Sequence, residues 1–201
     1  MIKEETNFGI LASIDWNSNK WQESPTDEDL KNSKFGFVED NNKSYTAINF
    51  GHELFPINED GYYAGLLPQL WTKTPDKEKS KTVKIVFQIA NNKFDGETYI
   101  VGLYAFPVFE KGNKPSPIDS FKEDFVTNIK ALPNDIYLLE NMVKLSDKNL
   151  IKFLPKDKKL GKQNYNYLTK SNVLNLLDEI TKFNNDAKIM GIKLRIIRSM
   201  N

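Results

Sequence analysis

The chain has 201 residues, of which 39% are hydrophobic, 12% aromatic and 27% charged, a composition that argues for a folded rather than a disordered protein and suits one domain with a substantial core. With no cysteine and a single histidine, His52, disulfides, thiolate metal sites, cysteine nucleophiles and multi-histidine zinc sites are excluded. The net charge of +1 conceals a division: the first 64 residues hold five lysines against twelve acids, net −7, and the rest carries +8.

Residues 8–16, FGILASIDW, alternate Ile10, Ala12 and Ile14 with Leu11, Ser13 and Asp15, which predicts a half-buried first strand ending in the turn NSNK. The acidic stretch WQESPTDEDLKNS then reads as a loop or a short helix capped at Thr26. KFGFVED and SYTAINFG predict two strands of a hairpin joined through NNK. With Pro56, Gly61, Gly65 and Pro68, HELFPINEDGYYAGLLPQLW holds no long regular element and reads as an irregular wall. TVKIVFQIA, 82–90, is the clearest strand, with Val83, Ile85, Phe87 and Ile89 on one face and Lys84, Val86 and Gln88 on the other. After the turn NNKFDGE, TYIVGLYAFPVFE supplies its antiparallel partner, and Gly102 in the middle predicts a bulge or a close approach.

Farther on, Ile118, Phe121, Phe125, Ile129 and Leu132 at helical spacing, with Ser120 and Glu123 as a capping box, predict a helix stopped at Pro133. DIYLLENMVKLS predicts a strand, and DKNLIKFLP a helical turn or second strand. Residues 169–191 predict an amphipathic helix with Val173, Leu177, Ile180, Phe183 and Ala187 on one face and Gly191 as its close. The ending IKLRIIRSMN reads as a final strand or a linker. Strands early and helices late, without regular alternation, predict an α+β fold: a curved, mainly antiparallel sheet or small barrel flanked by helices.

No phosphate-cradling glycine loop is present, and the acids of PDKEK and FDGE lie in turns, where they read as solvated rather than metal-binding. His52, as the general base of a catalytic site, has no recognisable partner in the sequence and reads as an ordinary hydrogen-bonded histidine. The aromatics carry more. Trp16 and Trp21 bracket NSNK, Tyr62 and Tyr63 lie in the glycine-bounded wall, Trp71 precedes the clearest strand, and Tyr104 and Phe106 are read onto one face of its partner. Brought to one rim, they would form a slot for a flipped or single-stranded base, with Asp15 and Asn17 reading its edge; packed inward, they are core. Lys73, Lys77, Lys79, Lys81 and Lys84 form one basic cluster, and eight lysines between 142 and 170 face only Asp147 and Asp157. Such clusters fit a phosphate-binding rim or a solvated surface.

The order LWTKTPDKEK, VKIVFQIA, a turn and YIVGLYAFP resembles the PUA superfamily, especially its YTH and EVE branches, over about 40 residues, and NYNYLTKSNVLNLLDEI is similar to the segment and helix that close some EVE-like domains. The resemblance implies a PUA-like curved β-barrel flanked by helices over residues 1–190, with 191–201 as a terminal strand or linker. It further implies an aromatic cage for a modified base, with Trp71 as cage tryptophan, Asp15, Trp16 and Asn17 near the first strand's polar contacts, and Tyr104 or Phe106 in place of the second cage tryptophan. Such modules occur at the front of McrB-type modification-dependent restriction proteins, so a motor and a nuclease are implied partners through a longer protein. The expected function is therefore a DNA-binding, non-enzymatic module recognising a methylated, flipped base, the targeting part of a restriction system. Its expected pocket comprises Trp71, Trp16, Asp15, Asn17, Tyr104, Phe106, Tyr63 and Trp21, and its phosphate contacts Lys20, Lys73, Lys77, Lys79 and Lys81. No cofactor or metal is called for. The alternatives are an RNA-binding PUA-like module and a protein-interaction domain. No apolar run approaches 18 residues and the amino terminus carries acids, so a cytoplasmic location is expected.

Overall fold

A computed structural model describes residues 7–33, 36–70, 75, 77–115, 124–160 and 165–200. In chain order its strands are β1 (Gly9–Ile14), β2 (Tyr63–Gly65), β3 (Ile85–Asn91), β4 (Thr98–Ala105), β5 (Gly112–Lys114), β6 (Phe125–Thr127), β7 (Ile129–Ala131), β8 (Ile136–Leu145) and β9 (Tyr165–Leu168). The helices are α1 (Asp27–Lys31), α2 (Gly36–Asn41), α3 (Lys77–Thr82), α4 (Asp147–Phe153), α5 (Lys170–Phe183) and α6 (Ala187–Arg198). This is an α+β fold built on one mixed sheet of five strands in the order β8-β4-β3-β1-β9. β1 runs parallel to β3, with Ala12 opposite Gln88, while the other neighbours pair antiparallel. The small sheets β2-β7 and β5-β6 complete the strands, and the described strands form an open sheet rather than a closed barrel.

Alternation along the central strands sends side chains into two cores. Leu11, Phe87, Ile89 and Leu103 face the helices, against Leu176, Leu177 and Ile180 of α5 and Ile189, Ile192 and Ile196 of α6. Ile10, Ala12, Ile14, Val86, Ala90 and Tyr104 face the opposite way, against Trp21, Phe50, Leu67, Leu70 and Ile129. The first strand is therefore buried on both sides rather than half-buried. Gly102 lies at a register shift in both of its ladders, and a Cβ there would fall 2.3 Å from the Phe50 ring, so the glycine allows that ring onto the sheet.

Three local expectations are corrected. The helix predicted through residues 118–132 is, in its described part, the strands β6 and β7. Phe125 and Ile129 stand four apart, a spacing that fits a helix turn and also two strand periods; the alternating burial of Phe125, Thr127, Ile129 and Ala131 follows the second. Ser120 and Glu123 lie outside the described residues. The hairpin predicted from KFGFVED and SYTAINFG is instead α2 and a 3₁₀ turn at Thr46–Asn49, which turns Ala47, Ile48 and Asn49 inward together. Residues 192–198 of the ending IKLRIIRSMN belong to α6, and Gly191 lies inside that helix. The long helix breaks at Asn184, whose buried amide bonds both Asn141 N–H and Asn141 C=O on β8, and Asp186 then caps α6. Phe183, placed on the buried face by periodicity, is 56% exposed.

Candidate functional site: the carboxyl end of the first strand

Beyond Ile14 the chain leaves the sheet and folds back through residues 15–24. Asn17 is only 1% exposed; its amide donates to Glu23 C=O at 2.8 Å and its carbonyl accepts from Asn19 N–H at 2.8 Å. Asn19 in turn donates to Ser24 C=O at 2.8 Å. These local bonds, of the kind Asn side chains make in turns, hold Lys20 and Trp21 in the left-handed region with φ of 52° and 55°. Such a conformation in a bulky residue costs on the order of 1–3 kcal/mol. It is offset by the complete burial of the Trp21 indole, whose Nε1 donates to Asp15 C=O at 3.1 Å. One strained turn thus drives Trp21 into the core and leaves Lys20 exposed at the rim.

Trp16 stays half-buried between them. Its ring meets Trp21 edge-on at 5.9 Å and leans on Tyr99 at 6.2 Å. Opposite Ala12 and Ile10 on β9, Tyr165 and Tyr167 pack against the same core, their rings 5.8 Å apart. Four partly exposed aromatic rings, Trp16, Tyr99, Tyr165 and Tyr167, therefore border this face of the sheet.

The floor is polar and closed. Asp15 is 5% exposed and accepts from Thr46 Oγ1 at 2.5 Å. Burial pushes its carboxyl up, hydrogen bonds from Ser44 and Thr46 pull it back, and the charge of Asp29 adds to the upward push. Asp29 is itself buried and occupied, accepting from Ser18 N–H, Ser18 Oγ and Thr26 N–H. Beside this floor runs the wall, pinned by two buried asparagines. Asn49 bonds Leu66 N–H and C=O at 2.6 and 2.9 Å, and Asn128 bonds Leu67 N–H and C=O, both at 2.8 Å. Each side chain substitutes for a neighbouring strand, satisfying backbone groups that burial would otherwise leave unpaired. Gln69 follows, its amide donating to Ser13 C=O at 2.6 Å just where the pairing of β1 with β9 stops at Ala12. Leu70 is buried in the same core.

Of the residues expected to form the pocket, Trp16, Trp21, Asp15 and Asn17 come together at this end. Asp15 and Asn17 are turned inward with their polar atoms engaged. Trp71 and Lys73 lie outside the described residues, as does the side chain of Lys77. Tyr104 is fully buried, its hydroxyl donating to Asn49 C=O at 2.5 Å, and burial raises its pKa. Phe106 does not share its face: a φ of 47° ends β4 and turns the ring to the helical core, under the Arg195 guanidinium at 5.6 Å. Tyr63 stacks flat on His52 at 3.7 Å instead. Burial, with Lys188 and Lys114 adding to it, lowers the His52 pKa to about 4. Lys79 and Lys81 are exposed on α3. That helix adjoins the start of β1, where Thr82 Oγ1 donates to Asn7 C=O, so it lies one strand length, about 20 Å, from Trp16. Among the expected lysines, Lys20 alone is described at the Trp16 rim.

Tyr99, Tyr165, Tyr167 and Gln69 were missed. Tyr99 stands five positions from Tyr104, an odd spacing that alternation sends to opposite faces, and only the register shift between Ile100 and Gly102 brings both to the same core; the β9 tyrosines and Gln69 carry no mark in the sequence either. Among the described residues no group of three or more His, Asp or Glu is placed to hold a metal ion, and no helix is long and apolar enough to cross a membrane. The chain matches no protein-family model, no curated protein and no solved structure.

Proposed function

We propose that the chain is a nucleic-acid-binding module that takes a flipped, modified base at the carboxyl end of β1, without covalent chemistry. The observation that carries this reading is the strained turn 17–24, which holds the half-buried indole of Trp16 at a rim between Trp21 and Tyr99. Backbone strain concentrates where a geometry is needed for function, and an indole of this kind offers a stacking face worth roughly 1–3 kcal/mol to a planar ring. Lys20 on the same turn supplies attraction to a neighbouring phosphate. A PUA-like fold with an aromatic cage belongs to this reading. Its support is the parallel β1–β3 pair, the β3–β4 hairpin with its glycine bulge, and the Val108–Lys130 bridge that leads from the β4 extension to β7. DNA is the substrate we favour, with the chain acting as the targeting part of a modification-dependent restriction system.

The test is a titration of the chain against duplexes carrying methylated adenine, methylated cytosine or neither, at two salt concentrations. A pocket reader discriminates among them at both; a merely basic surface binds all alike and releases them as salt rises. A parallel RNA series with and without 2′-hydroxyls distinguishes an RNA-binding module. Absence of binding at low salt in every arm would refute the nucleic-acid reading.

A further inference from the structure

The opposite end of the first strand carries a cavity of its own. Where β1 begins, Phe8 is stitched to both neighbours: its C=O accepts from Lys84 N–H at 2.8 Å and its N–H donates to Leu168 C=O at 2.9 Å. That pairing brings Lys84, just before β3, and Lys170, the first residue of α5, to the two flanks of one residue. Lys170 Nζ donates to Met200 C=O at 2.9 Å, which ties the start of α5 to the chain just past α6, and Thr82 Oγ1 at the end of α3 donates to Asn7 C=O at 3.1 Å. Between these segments lies a cavity of about 300 Å³ whose lining includes Phe8, Lys81, Thr82, Lys84, Lys170 and Ser199.

Lysines from α3, from the approach to β3 and from α5 line this space, and among the described residues no acid does. Lys84 is half-buried, and its Nζ donates to Lys81 C=O at 3.0 Å, a neutral acceptor that fixes the ammonium without cancelling its charge. Lys170 lies over the Phe8 ring, its Nζ 5.7 Å from the centroid. Lys81 pairs with Glu78 at 2.9 Å, but both side chains are largely exposed, and a pair of that kind contributes little. The hydroxyls are already engaged as donors, Thr82 Oγ1 to the Asn7 and Lys79 carbonyls and Ser199 Oγ to Ile196 C=O. What the cavity offers a ligand is therefore ammonium groups, and an anion set among them relieves their mutual repulsion. We propose that this cavity binds a phosphate group, with Lys84 and Lys170 flanking the anion and Lys81 closing over it from α3. Phosphate suits the lining because a lysine addresses it as a point charge with three donors, without the planar fork that arginine brings to a carboxylate. The site lies at the other end of β1 from Trp16 and does not rest on the base-binding reading. A small phosphorylated molecule and a nucleic-acid backbone both carry the group, and the experiment separates them.

The experiment titrates inorganic phosphate into the isotope-labelled full chain, with chloride holding the ionic strength constant, and follows the backbone amide resonances. Phosphate should give saturable shifts at Phe8, Lys84, Lys170 and Ser199 that chloride at equal ionic strength does not. Lys84→Gln, which keeps a polar chain and removes the charge, should weaken that response about tenfold, while Lys148→Gln on α4, outside the cavity, should leave it unchanged. Should Lys84→Gln fail to fold, the comparison of phosphate with chloride in the wild type still decides the matter. Shifts spread over surface lysines without saturation overturn the site, as does an undiminished response in folded Lys84→Gln. Glycerol phosphate and a single-stranded oligonucleotide then identify the source. Saturation of the same amides by the monoester alone marks a small phosphorylated ligand, saturation by the oligonucleotide at lower concentration marks a nucleic-acid phosphate, and saturation by neither overturns the site. Trp16→Ala should leave the response to inorganic phosphate unchanged, so this site and the base-binding reading stand or fall separately.

Discussion

The two faces of the central sheet are built by different physics. On the helical face, Leu11, Phe87, Leu103, Leu176, Leu177, Ile180 and Ile192 meet in an apolar core whose contribution scales with the area removed from water. On the other face, buried side chains include Asp15, Asn17, Asn49, Gln88 and Asn128, and irregular chain rather than helix covers the strands. Here the chain satisfies backbone groups with asparagine side chains, accepts left-handed conformations at Lys20 and Trp21, and leaves amide atoms of Gln69 and Gln88 without partners among the described residues. Apolar packing tolerates many sequences of similar volume, whereas a polar interior specifies one arrangement and can present directional groups to a ligand. The helical face stabilises the sheet, and the irregular face presents its rim.

That division is breakable by experiment. Leu177→Ala on the helical face should cost about 3–4 kcal/mol by denaturant unfolding while leaving modified-base selection unchanged in the folded fraction; a selective loss of binding at full stability would dissolve the distinction. Next in size, Asn49→Ala strips partners from Leu66 N–H and C=O and from Gln88 Oε1. We expect a loss of about 2–3 kcal/mol, and faster amide exchange across 64–70 than in α5. Gly102→Ala forces the Phe50 ring off the sheet and should lower stability by about 1–3 kcal/mol, read as a shift in the urea midpoint. Trp16→Ala should cost only about 1 kcal/mol of stability, since the ring is half-buried, yet reduce base selection about tenfold in the titration.

A further effect is one of pH. In the folded chain His52 has a pKa of about 4 against its ordinary 6.5, so folding favours the neutral ring. Its contribution is present in full above pH 6.5 and is lost as pH falls from there through 4. Asp15, pushed up by burial, works in the opposite sense: its contribution is complete at low pH and is lost as pH rises through the raised value. His52→Phe, which retains a ring against Tyr63, should therefore lose less stability than wild type between pH 6.5 and 4. Parallel curves for the two proteins would show that the ring does not titrate there.

Legibility in the sequence followed the strength of local signals. β1 and β3 could be read from alternation, β4 from its apolar, β-branched and aromatic content, the Thr26 cap from its acidic first turn, and the close approach at Gly102 from a glycine in a β-branched strand. The stretch at 125–131 misled because a spacing of four satisfies both periods, and the segment 36–49 because a short alternating run does not say whether a partner strand exists. At the site, the sequence marked Trp16 and the residues beside it. It did not show that Asp15 and Asn17 turn inward, that Phe106 leaves the face of Tyr104, or that Lys79 and Lys81 sit at the far end of β1 from Lys20.

From the order of residues alone came an α+β chain, its strongest strands, and an aromatic, partly basic character; the expected division into early strands and late helices did not hold, since β5 to β9 follow Lys111 and α1 to α3 precede β3. Those properties depend on near neighbours: periodicity, turn residues and composition act over a few positions. Tertiary structure alone decided that β1 pairs parallel with β3, that two asparagines stand in for missing strand neighbours of Leu66 and Leu67, and that Gln69 donates to Ser13 C=O where the pairing of β1 with β9 stops. These are outcomes of long-range pairing, in which a group's partner lies tens of residues away and is fixed only when all buried polar groups are satisfied together.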